Sequence, residues 1–260
     1  MTLLRVALLA LALTACAIVP GTDRYQLLLL SESEAATLGA ESFTAMTAES
    51  TIVTSGVNAQ MVQRIGKRIV AAAERLYPAR AAGQAWEFVL IKEDVANAWA
   101  LPGGKSAVYT GLLPVTQDEA SLAVVMGHEV AHVIAQHGNE RISTQVLAEQ
   151  GLAAADLLSK DSDYQGEIMT ALGLTTQFGV LKYSRTHESE ADHLGLMLAA
   201  DAGYDPTVAP GLWERMASLG GSKPPEWLST HPSEETRIKR LQELMPEAKK
   251  LYEKAKAAGR

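Results

Sequence analysis

Glu119-Ala-Ser-Leu-Ala-Val-Val-Met-Gly-His-Glu-Val-Ala-His-Val-Ile-Ala-Gln-His137 decides how the whole chain is read. Within it stands His128-Glu129-Val130-Ala131-His132, two histidines four residues apart with a carboxylate beside the first. Leu122, Val125, Met126 and Val130 recur at helical spacing, and no proline interrupts them. Residues four apart share a helix face, so both imidazoles can aim at one point. Two neutral imidazoles so placed make half of a tetrahedral metal site, and Glu129 is within reach to act as general base on a water there. Gly127 costs a helix about 1 kcal/mol relative to alanine, which makes sense if another backbone passes close by. The plain alternative is a chance H-E-x-x-H on an ordinary amphipathic helix.

A catalytic metal site takes a third protein ligand and keeps one position open. A longer histidine motif would want glycine at 135 and histidine at 138, but Ala135 and Gly138 stand there. His137 is five residues past His132 and points off the ligand face. It reads as a C-terminal helix histidine that suits the dipole, with Gly138 as the helix stop. The missing ligand is expected from a second helix, Ser184-Arg-Thr-His-Glu-Ser-Glu-Ala-Asp192. Glu188 and Asp192 share a face; one carboxylate can bind metal while the other accepts a hydrogen bond from the far nitrogen of a ligand histidine. Glu190 lies about 160° from the line of Asp192 on the helical wheel, nearer the solvent side. A solvated acidic helix start is the bland reading of the same stretch.

Together, H-E-x-x-H and S-R-x-x-E-x-x-A-D resemble the zinc metallopeptidases that include HtpX, the CAAX prenyl proteases and the Oma-type proteases, the minigluzincins. Two further stretches agree: Asn97-Ala-Trp-Ala-Leu-Pro-Gly-Gly104 followed by Val108-Tyr-Thr-Gly-Leu-Leu113, and Ser229-Thr-His-Pro232. The likeness runs over about residues 55–245 with its motifs in order. It implies an α+β, mainly helical, zincin-like domain with about three strands beside the motif helix. It also implies one zinc ion held by His128, His132 and Glu188, with Glu129 as catalytic acid/base. Asp192 would orient a ligand histidine.

Composition sets limits. With 260 residues the chain can bury one sizeable core, or a core plus a small subdomain, and a net charge of −7 argues against nucleic acid as a partner. Residues 1–15 read as a signal segment: Arg5 in a short positive start, then an apolar run too short to span a bilayer. Leu13-Thr-Ala-Cys16 looks like a bacterial lipoprotein signal, with Cys16, the sole cysteine, as the lipidated residue. Acyl chains on Cys16 would anchor the chain to a membrane. Ala17, by resemblance to Gram-negative sorting rules, points to the periplasmic side of the outer membrane. A chance cysteine after a plain secretory signal is the alternative.

The remaining expectations follow the chain. Residues 16–50 read as an anchored tether and N-terminal segment, mildly helical from about 35, with Tyr25-Gln-Leu-Leu-Leu-Leu30 apolar enough to pack on the domain. A metallopeptidase domain is expected over 51–246. Asn58 to Tyr77 reads as a helix ended by Pro78, and Trp86 to Ile91 as a buried strand. Asn97–Leu101 and Ser106–Thr110 read as a hairpin through Pro102-Gly-Gly-Lys105. An exposed edge there could take an extended peptide by main-chain hydrogen bonds. Residues 140–159 and 165–182 read as helices, joined by a polar linker at 160–164, and carry too many charges to span a membrane. Val208 to Leu219 is a further helix, 220–225 a loop, and Ser233 the cap of a last helix that stops at Pro246. The charged tail 247–260 is expected to fray. Arg185 and Tyr204 are minor candidates for stabilising an oxyanion, with Arg185 reading first as a structural residue paired to a nearby carboxylate.

His231 carries three readings. It can bind the developing oxyanion, it can swing onto the metal and block the water position, or it can simply bond a helix start. The expected activity is zinc-dependent endopeptidase action on unfolded, misfolded or stalled envelope polypeptides. A periplasmic chaperone or assembly factor serving the outer-membrane protein assembly machinery, with the protease latent, is the second expectation. A purely structural zinc site is the third.

Overall fold

A computed structural model describes residues 16–22, 24–150, 183–218, 231 and 236–260. The signal segment 1–15, the helix expected at 165–182, the linker 160–164, the loop 220–225 and the Ser233 cap lie outside the described residues. Strands β1 (Cys16–Ile18) and β2 (Tyr25–Leu27) pair antiparallel and lead into helices α1 (Glu32–Thr47) and α2 (Val57–Leu76). Strands β3 (Glu87–Ile91), β4 (Ala98–Leu101) and β5 (Lys105–Tyr109) follow. Besides single-turn helices such as Pro78–Ala81 and Leu113–Thr116, five longer ones follow among the described residues: α3 (Glu119–Ile134), α4 (His137–Gln150), α5 (Arg185–Asp201), α6 (Ala209–Ser218) and α7 (Arg237–Ala257). The expected α+β architecture, mostly helical with a three-stranded sheet beside the motif helix, is what the chain adopts.

Helix α3 is the axis. Asp118 caps it by accepting from the Ser121 amide at 2.7 Å, and every residue from Ser121 to Ile134 is buried. An amphipathic helix would show water one face. This one is apolar or small nearly all round, so it sits inside, with α2, α5 and β4 packed on it. Helix α5 crosses it where two glycines face each other. A Cβ built on Gly127 would stand 2.7 Å from the Gly195 carbonyl oxygen, so the glycine expected to admit a second backbone does so.

The sheet order is β3-β5-β4, with β3–β5 parallel and β4–β5 the expected antiparallel hairpin. Gly103 and Gly104 turn it with φ of 86° and 88°, a region open to glycine. The far side of β3 is taken by residues 51–53: Val53 donates to the Leu90 carbonyl and Lys92 to the Thr51 carbonyl, both at 2.8 Å. β4 is the other outer strand, and it lies on the α3 side.

Two expectations at the chain's ends are corrected. The stretch expected as a tether at the start of 16–50 is not one: β1 and β2 form a ribbon on the domain, with Val19 and Gln26 buried. Asn139 Nδ2 donates to the Leu30 carbonyl and the Leu29 amide to Ser143 Oγ, so the apolar run is stitched to α4. Nor does the last helix stop at Pro246. A proline in a helix interior costs about 3 kcal/mol, but α7 continues because Ala248 and Ala255 are buried and Leu251 and Tyr252 pack on the core. Arg260 then bonds Asp201 at 2.9 Å.

Candidate metal centre

Four side chains converge. His128 and His132 project from the C-terminal half of α3, Glu188 from the first turn of α5, and His231 precedes α7. All four are buried, and one ligand atom from each lies within 4.8 Å of the others. His128 Nε2 is 3.1 Å from His132 Nε2 and 3.2 Å from His231 Nδ1. Glu188 Oε2 is 3.4 Å from His128 Nε2, while its Oε1 is 3.5 Å from His132 Nε2 and 2.9 Å from His231 Nδ1.

These spacings can be tested against a metal. Two ligands each about 2 Å from a tetrahedral zinc stand about 3.3 Å apart, close to the separations found. Glu188 Oε2 is buried and accepts no hydrogen bond; Arg237 Nη1 and His128 Nε2 each stand 3.4 Å off, so a metal ion would give it the direct partner it lacks. The donor set of imidazoles and one carboxylate suits a borderline divalent ion. The residues fit.

The charges point the same way. Burial opposes a proton on His128, yet Glu188 and Asp192 outweigh it and raise His128 to about 9. The same carboxylates would favour a divalent cation in place of that proton. Burial drives His132 well below its ordinary value. Burial would raise Glu188, but His231 and His128 hold it well below the usual carboxylate range.

Asp192 is one turn past Glu188 and accepts from His128 Nδ1 at 3.0 Å, which leaves Nε2 for the cluster. Arg237 of α7 donates to the same Asp192 oxygen at 2.6 Å and stacks 3.8 Å over the Trp213 ring. Glu129 Oε1 is 3.5 Å from His231 Nε2. Tyr183 lies flat on the His132 ring, 3.8 Å between centroids and 22° from parallel. Cys16 opens β1 and takes no part in the cluster.

Several expectations fail here. His137 does not point away. Helix α3 ends at Ile134, Gln136 takes a left-handed φ of 56°, and a new helix begins at His137. The reversal lays His137 Nδ1 2.9 Å from His132 Nδ1. Gly138 is therefore no helix stop; it lies inside α4, where a Cβ would come within 3.0 Å of the Pro102 ring. Glu190 is buried, not solvated, because the N-terminal ribbon covers it with Arg24. Tyr204 bonds Glu119 at the other end of α3, and exposed Arg185 lies outside the cluster. Arg237, Tyr183 and Arg24 escaped the sequence reading altogether; none lies in a motif whose spacing announces a partner.

A profile described as peptidase family M48 matches residues 57–245. The chain belongs to that family. The mitochondrial metalloendopeptidase OMA1 of Schizosaccharomyces pombe is 40% identical over 192 residues, covering 72% of this chain and 53% of that protein. Its Arabidopsis thaliana namesake is 39% identical, covering 67% and 35%. The beta-barrel assembly-enhancing protease of Escherichia coli strain K12 is 31% identical, covering 69% and 37%. The chain thus spans about half or less of the length of these curated relatives. The M48 match includes both motif helices and His231, so the four converging side chains lie within the shared region. No helix among the described residues is long and apolar enough to cross a membrane.

Proposed function

We propose that this M48 chain is a zinc-dependent endopeptidase. The observation that carries the reading is the meeting of His128, His132 and Glu188 at one buried point with Glu129 beside it. Those three residues would hold the ion, and zinc, when bound, would supply Lewis acidity to a peptide carbonyl and to water. The Glu129 carboxylate accepts a proton from the attacking water and returns it to the leaving amide nitrogen as the carbon–nitrogen bond breaks. Asp192 holds the His128 proton on Nδ1. The outer edge of β4, on the α3 side, suits a substrate held in extended form.

The substrates proposed are unfolded or misfolded envelope polypeptides, met by an enzyme anchored through Cys16 on the periplasmic side of the outer membrane. The lipoprotein-like Leu13-Thr-Ala-Cys16 and the assembly-enhancing relatives support this placing, while the mitochondrial relatives pull against a bacterial one.

A second reading has its own support. His231 Nδ1 stands among the ligand atoms, where water or substrate would otherwise enter. That arrangement suits a latent protease whose surface serves as a chaperone or assembly factor.

Zinc content and cleavage of an unfolded protein such as casein, compared between wild type and Glu129→Gln, test the proposal. A variant that keeps zinc and loses cleavage supports it. Zinc in both with cleavage in neither favours the latent reading, and zinc in neither sinks the site assignment.

A further inference from the structure

His132 is served on its far side by residues that no motif announces. To offer Nε2 to a metal as a lone pair, His132 must carry its proton on Nδ1. That proton points at His137 Nδ1, 2.9 Å away, which must then be the acceptor. His137 in turn keeps its own proton on Nε2 and donates it to Glu190 Oε2 at 3.0 Å. Glu190 is fixed by Arg24: Nε reaches Oε1 at 2.8 Å and Nη2 reaches Oε2 at 2.9 Å. The same guanidinium holds Glu140 at 2.7 Å, and Glu140 accepts from His187, whose ring stacks on His137 at 4.5 Å. Proton positions are therefore determined at every step from Arg24 to the metal-facing nitrogen.

Arg24 is the odd member. His137, Glu190, Glu140 and His187 lie on α4 and α5, the helices that frame the site, but Arg24 sits between β1 and β2. Without it two largely buried carboxylates would face each other uncompensated, and Glu190 would lose the two bonds that aim it at His137. The structure brings the N-terminal ribbon, which begins at Cys16, into bonding contact with the support of a ligand histidine.

We propose that Arg24, Glu190 and His137 form a positioning relay that fixes His132 for metal binding, making the N-terminal ribbon a working part of the metal centre. The proposal builds on the metallopeptidase reading above. His137 and Glu190 do for His132 what Asp192 does for His128, and Arg24 makes that support depend on the docked ribbon. The rival account is an ion cluster that merely pins the ribbon down.

The experiment measures zinc affinity of the full chain by competition with a chromophoric chelator, together with the visible spectrum of the cobalt(II) complex. Arg24→Gln, Arg24→Lys and Glu190→Gln are compared with wild type, and thermal unfolding in chelator reports stability without metal. Arg24 is partly exposed and Glu190→Gln keeps its shape, so both folds are expected to survive. The relay predicts zinc binding about tenfold weaker in Arg24→Gln, an altered cobalt band, and partial rescue by lysine. It predicts a fall in kcat with KM unchanged. Wild-type affinity and an unaltered cobalt spectrum in Arg24→Gln and Glu190→Gln would overturn it, as would a loss of affinity that only tracks the fraction unfolded. If wild type binds zinc but cleaves nothing, the protease reading fails while the affinities still decide the relay. If wild type binds no zinc, both fall.

Discussion

Gly127 and Gly195 meet backbone to backbone where α5 crosses α3. A Cβ on Gly195 would stand 2.7 Å from the Cα and amide nitrogen of His128. This crossing brings Glu188 and Asp192, one turn apart on α5, onto the histidines of α3. Gly195→Ala is therefore expected to force the helices apart, lowering stability by about 1–3 kcal/mol as overpacking does and reducing zinc content. Calorimetry and metal analysis check it; a variant with wild-type stability and zinc would show that the close approach has slack.

Asp192→Asn keeps the shape at position 192 but weakens the acceptor for His128 Nδ1 and removes the nearer of two carboxylate charges on buried Arg237, the other being Glu188 Oε2 at 3.4 Å. Zinc affinity is expected to drop about 10- to 100-fold. Chelator competition measures it, and an affinity equal to wild type would mean that the remaining packing orients His128 unaided.

His231→Ala removes one of the four converging donors and leaves His128, His132 and Glu188 with an open position. Zinc should bind more weakly, and cleavage per bound zinc should rise. A fall in cleavage per bound zinc would instead assign His231 to the transition state, the oxyanion role that its position near Glu129 also allows.

Legibility followed local spacing. The pairs His128/His132 and Glu188/Asp192 were readable because each stands four positions apart on one helix face, with Glu129 adjoining the first histidine. The crossing glycine at 127 was readable from its cost. His137 was misread because a helical wheel presumes a continuing helix, and the left-handed Gln136 ends that presumption. Glu190 was misread because what buries it comes from 166 positions upstream. Pro246 misled because local propensity yielded to burial of α7.

Acid stability should expose the ribbon. Burial would raise Glu140 and Glu190, but bonds from Arg24 and His187 to the first, and from His137 and Arg24 to the second, lower each from 4.5 to about 2. A carboxylate held lower in the folded state adds stability that is complete above its unfolded value and is lost as pH falls through the folded one. In chelator, the unfolding temperature of wild type should thus decline from about pH 4.5 towards 2. Arg24→Gln should start lower and decline less over that window. Parallel curves for the two would rule the clamp out as the source.

Helix α3 is enclosed on every side from Ser121 onward. A helix without a solvent face has no cheap route to local opening, so its amide protons should exchange with heavy water only when the domain unfolds as a whole. His128 and His132 should then be among the slowest to exchange of the described residues. Their spacing should then be fixed by the buried helix itself, so an ion leaving the site is expected to go through its other partners rather than through a loosening of this helix.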